Sequence, residues 1–266
     1  MMTALFHGID PFYVLSGAVV GTLVGFTGVG GGSLMTPILI LIFGISPAGA
    51  VGTDLIYAAV TKAGGTLVHG YNRSVDWKVV GRLALGSVPM TALTTFALLN
   101  LGINSHATQH IITNVLGGAL LFTALSLAFR KRLMRVYARQ LGEMNPKLVS
   151  SLTILTGAVL GVLVTISSVG AGAIGVTALV LLYPKMAAQR IVGTDIAHAV
   201  PLTLAAGLGH SILGTIDMHI LLSLLCGSLP AIVVSSMAST RVSETAVRVV
   251  LACVLILVCA RFWFLG

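Results

Sequence analysis

Gly25-Phe26-Thr27-Gly28-Val29-Gly30-Gly31-Gly32-Ser33, with Thr36-Pro37 close behind, interrupts a chain that is apolar on both sides of it. Each glycine costs a helix about 1 kcal/mol relative to alanine, so the run breaks the helix that enters it. About 140 residues later a degenerate copy returns as Thr165-Ile166-Ser167-Ser168-Val169-Gly170-Ala171-Gly172, with hydroxyls and alanine in place of several glycines. Around it the register holds. Gly21, Val29 and Gly30 fall on Gly161, Val169 and Gly170, and Val51-Gly52-Thr53-Asp54 falls on Val192-Gly193-Thr194-Asp195. His69 meets His210, Asp76 meets Asp217, and Gly86-Ser87-Val88-Pro89 meets Gly227-Ser228-Leu229-Pro230. Polar residues recurring at matched depths of two hydrophobic units are the signature of a secondary transporter, whose site forms where the repeats meet.

Composition sets the class. With 56% hydrophobic and 8% charged residues and a mean hydropathy of +1.04, the chain has too little polar surface to coat a soluble globule. It reads as an all-α polytopic membrane protein. Apolar runs near 10–28, 50–69, 77–100, 108–129, 150–168, 191–212, 217–238 and 245–264 approach the ~20 residues that span a bilayer as helix. Two shorter runs, 31–44 and 172–184, each follow a glycine-rich break; at ~1.5 Å per residue they read as half-helices or re-entrant segments. Met1-Met2-Thr3 carries no basic n-region, so the first helix is expected to stay as an anchor. The domain reading is a first repeat over 1–129, a basic cytoplasmic linker over 130–147 and a second repeat over 148–266.

The surplus of positive charge, +8 with a pI near 9.9, would suggest nucleic acid if it formed a face on a soluble fold. Instead Arg130, Lys131, Arg132, Arg135 and Arg139 cluster in the linker, with smaller groups at Arg73, Lys78 and Arg82, at Lys185 and Arg190, and at Arg241 and Arg248. Short basic loops mark the cytoplasmic side and attract anionic lipid head groups. If the first pair of each half crosses twice or re-enters, three further helices make each half odd and the repeats inverted. All these loops then lie inside, with the N-terminus outside and Arg261 the exception. If the pair is one broken crossing, the repeats are parallel and four of these cations lie outside. The positive-inside rule favours inversion. Cys226, Cys253 and Cys259 lie in predicted spans with no metal or redox spacing, so no metal or cofactor is expected.

Gly21 to Pro37 with Gly52-Thr53-Asp54, followed by the second copy at Gly193-Thr194-Asp195, resembles the sulfite exporter TauE/SafE family of membrane transporters. The resemblance covers nearly the whole chain. It implies export or exchange of small sulfur-containing anions such as sulfite, sulfonates or thiosulfate across the bacterial inner membrane.

The residues themselves point to an anion site. Non-helical backbone inside a membrane survives only where protein or a wet cavity satisfies it. Each break opens a half-helix whose free N–H groups carry roughly +0.5 of an elementary charge, enough to hold an anion without a cation beside it. Close helix approach is the competing role for the isolated GxxxG glycines. The substrate-binding candidates are Gly30, Gly31, Gly32, Ser33, Thr53, Lys62, Ser168, Gly170, Gly172 and Thr194. Coupling or gating falls to Asp54, Asp195, His198, His69 and His210. A carboxylate at the bilayer centre costs about 2.5–3.5 kcal/mol, so Asp54 and Asp195 face protein or water. Either they cap their helices or one takes up a proton during transport, with His198 on the face of Asp195 as relay. Lys62 lies about 12 Å along the helix from Asp54 and must find another partner, by snorkelling or at an anion. His69 and His210 suit helix C-termini, Asp76 and Asp217 suit N-caps, and Pro89 and Pro230 suit kinks. Ser167 or Ser168 with His198 or His210 is the one conceivable nucleophile pair, but no GxSxG or HExxH pattern supports an enzyme. A channel is the nearer rival, since broken helices also build selectivity filters.

Overall fold

A computed structural model describes residues 9–27, 32–71, 73–137 and 145–238, together with Cys253, Ile256, Ala260 and Arg261. The expected last span, Arg139, Arg241, Arg248 and Cys259 therefore fall wholly or largely outside the described residues. The described elements are helices: α1 (Pro11–Thr27), α2 (Gly32–Leu41), α3 (Pro47–Tyr71), α4 (Trp77–Leu101), α5 (His106–Tyr137), α6 (Pro146–Ser167), α7 (Ala173–Leu182), α8 (Ala188–Ile212) and α9 (Met218–Ala238). Five described helices are long and apolar enough to cross a membrane: α4, α6, α8, the His106–Ser126 part of α5 and the Met218–Ser235 part of α9.

The boundaries follow from local chemistry. Asp76 starts α4 by accepting from the N–H groups of Lys78 and Val79, and Asp217 starts α9 through His219 and Ile220. Both are the N-caps that the sequence suggests. Asn145 caps α6 with Pro146 at its first position. The second break also falls where expected. Ser168 ends α6 in a left-handed conformation at φ 57°, and Gly172 precedes α7 at φ 135°, where a side chain would be strained. Pro89 and Pro230 lie inside α4 and α9.

Each short helix folds back on the one before it. The rings of Tyr13 at the start of α1 and Phe43 just past α2 lie 4.3 Å apart. In the second copy Tyr183, just past α7, bonds Thr153 near the start of α6 at 2.8 Å. Both pairs are thus hairpins that return to their starting end. The two hairpins exchange partners: α1 packs on α9 and α6 packs on α4, while α3 and α8 pack on each other between them. Glycine makes the exchange close. Gly86 presses on the backbone of Ile154 and Ala158, and Gly227 presses on Val14 and Ala18. Gly21 meets Ser228 and Gly161 meets Ser87 in return. A side chain at any of these positions would overlap backbone, which confirms the small-residue contact reading for Gly21 and Gly161.

Polarity is arranged as a bilayer demands. Phe12, Leu67, Leu85, Phe96 and Val234 are exposed, while Thr36, Asp54, Lys62, Ser87, Asp195, His198 and His210 are buried. One apolar cluster around Met35, Leu39, Tyr57 and Leu224 and another around Leu55, Leu160, Leu202 and Ala206 flank that polar centre.

Candidate functional site

The repeated Gly-Thr-Asp of α3 and α8 does three different jobs in consecutive residues. Gly52 seats against His210 and Thr215, and Gly193 seats against His69 and Ser74. Thr53 Oγ1 accepts from the Asp217 N–H at 3.1 Å, and Thr194 Oγ1 accepts from the Asp76 N–H at 2.9 Å. Each threonine therefore binds the start of a helix in the other half of the chain, which gives both a framework role beside the proposed substrate contact.

The histidines belong to the same frame. His69 Nδ1 pairs with Ser74 Oγ at 2.9 Å, and His210 Nδ1 pairs with Thr215 Oγ1 at 2.9 Å. Each closes the last turn of its helix onto the following loop. His210 reaches further. Its Nε2 lies 2.9 Å from the Thr165 carbonyl, which can only accept, so Nε2 carries the proton and ties α8 to the last turns of α6.

The aspartates turn inward. Asp54 and Asp195 lie two turns inside α3 and α8, so the capping alternative is corrected: neither is placed to cap its own helix. Asp54 Oδ2 accepts from Thr36 Oγ1 of α2 at 2.5 Å. Ser168 of the second break faces the same carboxylate, although Ser168 Oγ and Asp54 Oδ1 make no well-aligned bond. Asp195 Oδ1 packs against Gly175 in the first turn of α7, where a side chain would collide with it. Each aspartate thus faces the half-helix of its own repeat.

Lys62 is buried, and its Nζ donates to the Ala171 carbonyl at 2.9 Å. That carbonyl lies in the broken segment between α6 and α7, so the partner that the sequence required is exposed backbone and not a head group reached by snorkelling. Lys62 also lies in the electrostatic field of both carboxylates, more strongly that of Asp195 than that of Asp54. His198, three residues past Asp195, sends Nε2 to Ser87 Oγ of α4 at 2.9 Å.

Among the other candidates, Ser168 and Gly172 flank Ala171, and Gly170 carries φ 126° between them. No side chain caps the start of α7, in line with an open N-terminus. Ser33 is buried in the first turn of α2, which begins at Gly32; Gly30 and Gly31 lie outside the described residues. Thr36, Tyr57, Ser87 and Ser228 were not among the sequence candidates. Tyr57 stands one offset of about 141 from His198, as Ser87 does from Ser228, and Tyr57 faces Ser228 where His198 faces Ser87. The repeat register carried that signal. Among the described residues no group of His, Cys, Asp or Glu is arranged to hold a metal.

A buried ammonium thus lies on the broken segment between α6 and α7, in the field of two buried carboxylates. The sulfite exporter TauE/SafE family model matches residues 13–262. The chain belongs to that family. It is similar to the "Probable membrane transporter protein YjnA" of Bacillus subtilis (strain 168), 39% identical over 247 residues that cover 91% of this chain and 95% of the relative. It also resembles the "Probable membrane transporter protein YdhB" of the same organism, at 26% identity over 79% of this chain and 82% of the relative. A third relative is the "Probable membrane transporter protein MJ0441" of Methanocaldococcus jannaschii, at 26% identity over 74% of this chain and 70% of that protein. No solved structure matches. The chain is a multi-pass membrane transporter and not an enzyme.

Proposed function

We propose that this transporter exports or exchanges a small anion, of the sulfur oxyanion class, by alternating access across the bacterial inner membrane. The observation that carries the reading is Lys62, buried and held on the Ala171 carbonyl of the second break, within the field of two buried carboxylates of α3 and α8. Anion binding competes with that carbonyl for the ammonium. The open N-terminus of α7 adds N–H donors at the same depth. Sulfite, sulfonate and thiosulfate all suit such donors, and the family description favours sulfite.

Charge balance supports coupling to protons. With both aspartates ionised and Lys62 protonated, the centre is net negative before any anion arrives. Burying an unbalanced charge costs several kcal/mol, so a proton travelling with the anion makes the loaded state cheaper. Asp195 is the counter-charge of Lys62 and Asp54 carries the proton, between Thr36 of one half and Ser168 of the other. The exchanged packing of the hairpins supports inverted repeats rocking about the α3–α8 contact.

The test is counterflow of labelled sulfite, thiosulfate, a small sulfonate, a carboxylate and phosphate into proteoliposomes holding the purified protein. Saturable counterflow confined to sulfur oxyanions is the expected result. Passive, non-saturating flux would replace the carrier by a channel.

A further inference from the structure

At the basic end of the molecule a cavity of about 580 Å³ opens between the start of α4, the start of α6 and the loop joining α7 to α8. Arg82, Lys185 and Arg190 line it with a single carboxylate, Asp76, so its walls carry a surplus of two positive charges. Asp76 is already committed. Its Oδ2 pairs with Arg190 at 3.1 Å, the only salt bridge among the described residues, and its Oδ1 caps α4. Arg82 and Lys185 are left without a carboxylate among those residues.

Arg82 is nevertheless aimed. Its Nη1 donates to Tyr183 Oη at 3.4 Å, Tyr183 Oη lies 2.8 Å from Thr153 Oγ1, and Thr153 donates its own proton to the Val149 carbonyl at 2.7 Å. That last bond leaves Tyr183 as donor to Thr153 and frees its lone pairs for Arg82. The guanidinium is thereby held at the wall. The fold does not need these cations. At the corresponding place in the other half, residues 42–49 hold no charged side chain and Ser223 stands where α4 has Arg82. That opposite end carries Asp10 and Asp217 instead, with the Asp10 N–H donating to Ser223.

We propose that this cavity binds a tetrahedral oxyanion, either a free anion or the phosphate of an anionic lipid head group. The planar Arg82 fork and the Lys185 ammonium meet such an anion from two walls while Arg190 remains paired to Asp76. The site lies at the mouth of the molecule and is distinct from the buried centre at Lys62.

The test uses the full-length protein in nanodiscs of phosphatidylcholine alone, with radiolabelled sulfate and phosphate as probes. Saturable binding is expected, weakened about tenfold or more in the Arg82→Gln/Lys185→Gln double variant and restored by Arg82→Lys/Lys185→Arg, which keeps the charge. Adding phosphatidylglycerol separates the sources. Competition by the lipid in the wild type but not in the double variant assigns the site to a head group, and insensitivity to the lipid assigns it to a free anion. Absence of saturable binding in the neutral nanodiscs, or equal binding by wild type and double variant, overturns the proposal.

Discussion

The two halves of this protein share a frame and differ in charge. Gly86 and Gly227, Thr53 and Thr194, and His69 and His210 make reciprocal contacts with residues of the other half. At the centre the equivalence fails. Lys62 has no basic counterpart in α8, where Thr203 occupies the matching position, and Tyr57 answers His198. Contacts that both halves need for packing are duplicated, because each hairpin must dock in the same kind of groove. A single substrate breaks the symmetry wherever it binds, so the departures mark the chemistry.

The largest test of that division is Lys62→Met. It removes the ammonium that donates to the Ala171 carbonyl and whose field reaches both buried carboxylates, so counterflow should fall about a hundredfold or more. Transport at the wild-type rate would remove Lys62 from the site and undo the asymmetry argument. The frame is tested next by Gly86→Val and Gly227→Val. Each puts methyl groups into backbone across the helix contact, and each should destabilise the detergent-solubilised protein by about 3 kcal/mol or more. Nearly equal losses in thermal unfolding are expected, and a large inequality would mean that the two grooves are not equivalent.

Asp54→Asn and Asp195→Asn sharpen the comparison at the centre. An amide in place of Asp54 can still accept from Thr36 but holds no transferable proton. Counterflow in Asp54→Asn should therefore become insensitive to pH and drop about tenfold. Asp195→Asn should lower transport while keeping the wild-type pH profile, because it removes the counter-charge of Lys62. If the profile flattens in Asp195→Asn and survives in Asp54→Asn, the two roles are exchanged.

The helices and the second break were legible because they are written in apolar runs and a glycine-bearing interruption. Lys62 was legible as a misfit, a cation deep in a span. What sequence could not supply was the division of labour inside Gly-Thr-Asp: Gly52 and Thr53 meet Thr215 and Asp217, more than 150 residues away, and only folding brings them together. Thr36, Ser87 and Tyr57 were hidden for another reason. A hydroxyl in a span usually bonds its own helix, as Thr61, Thr66 and Thr203 do here, and composition does not distinguish those from hydroxyls that reach across.

The smallest effect bears most directly on the frame. Thr53→Val and Thr194→Val each remove one acceptor and leave a backbone N–H, at Asp217 or Asp76, without it. An unsatisfied buried donor costs about 1–3 kcal/mol. Both variants should therefore melt lower by similar amounts while counterflow, corrected for folded protein, changes less than about threefold. A much larger transport loss in one variant, at equal stability, would place that hydroxyl in the substrate path and show that the asymmetry reaches the threonines as well.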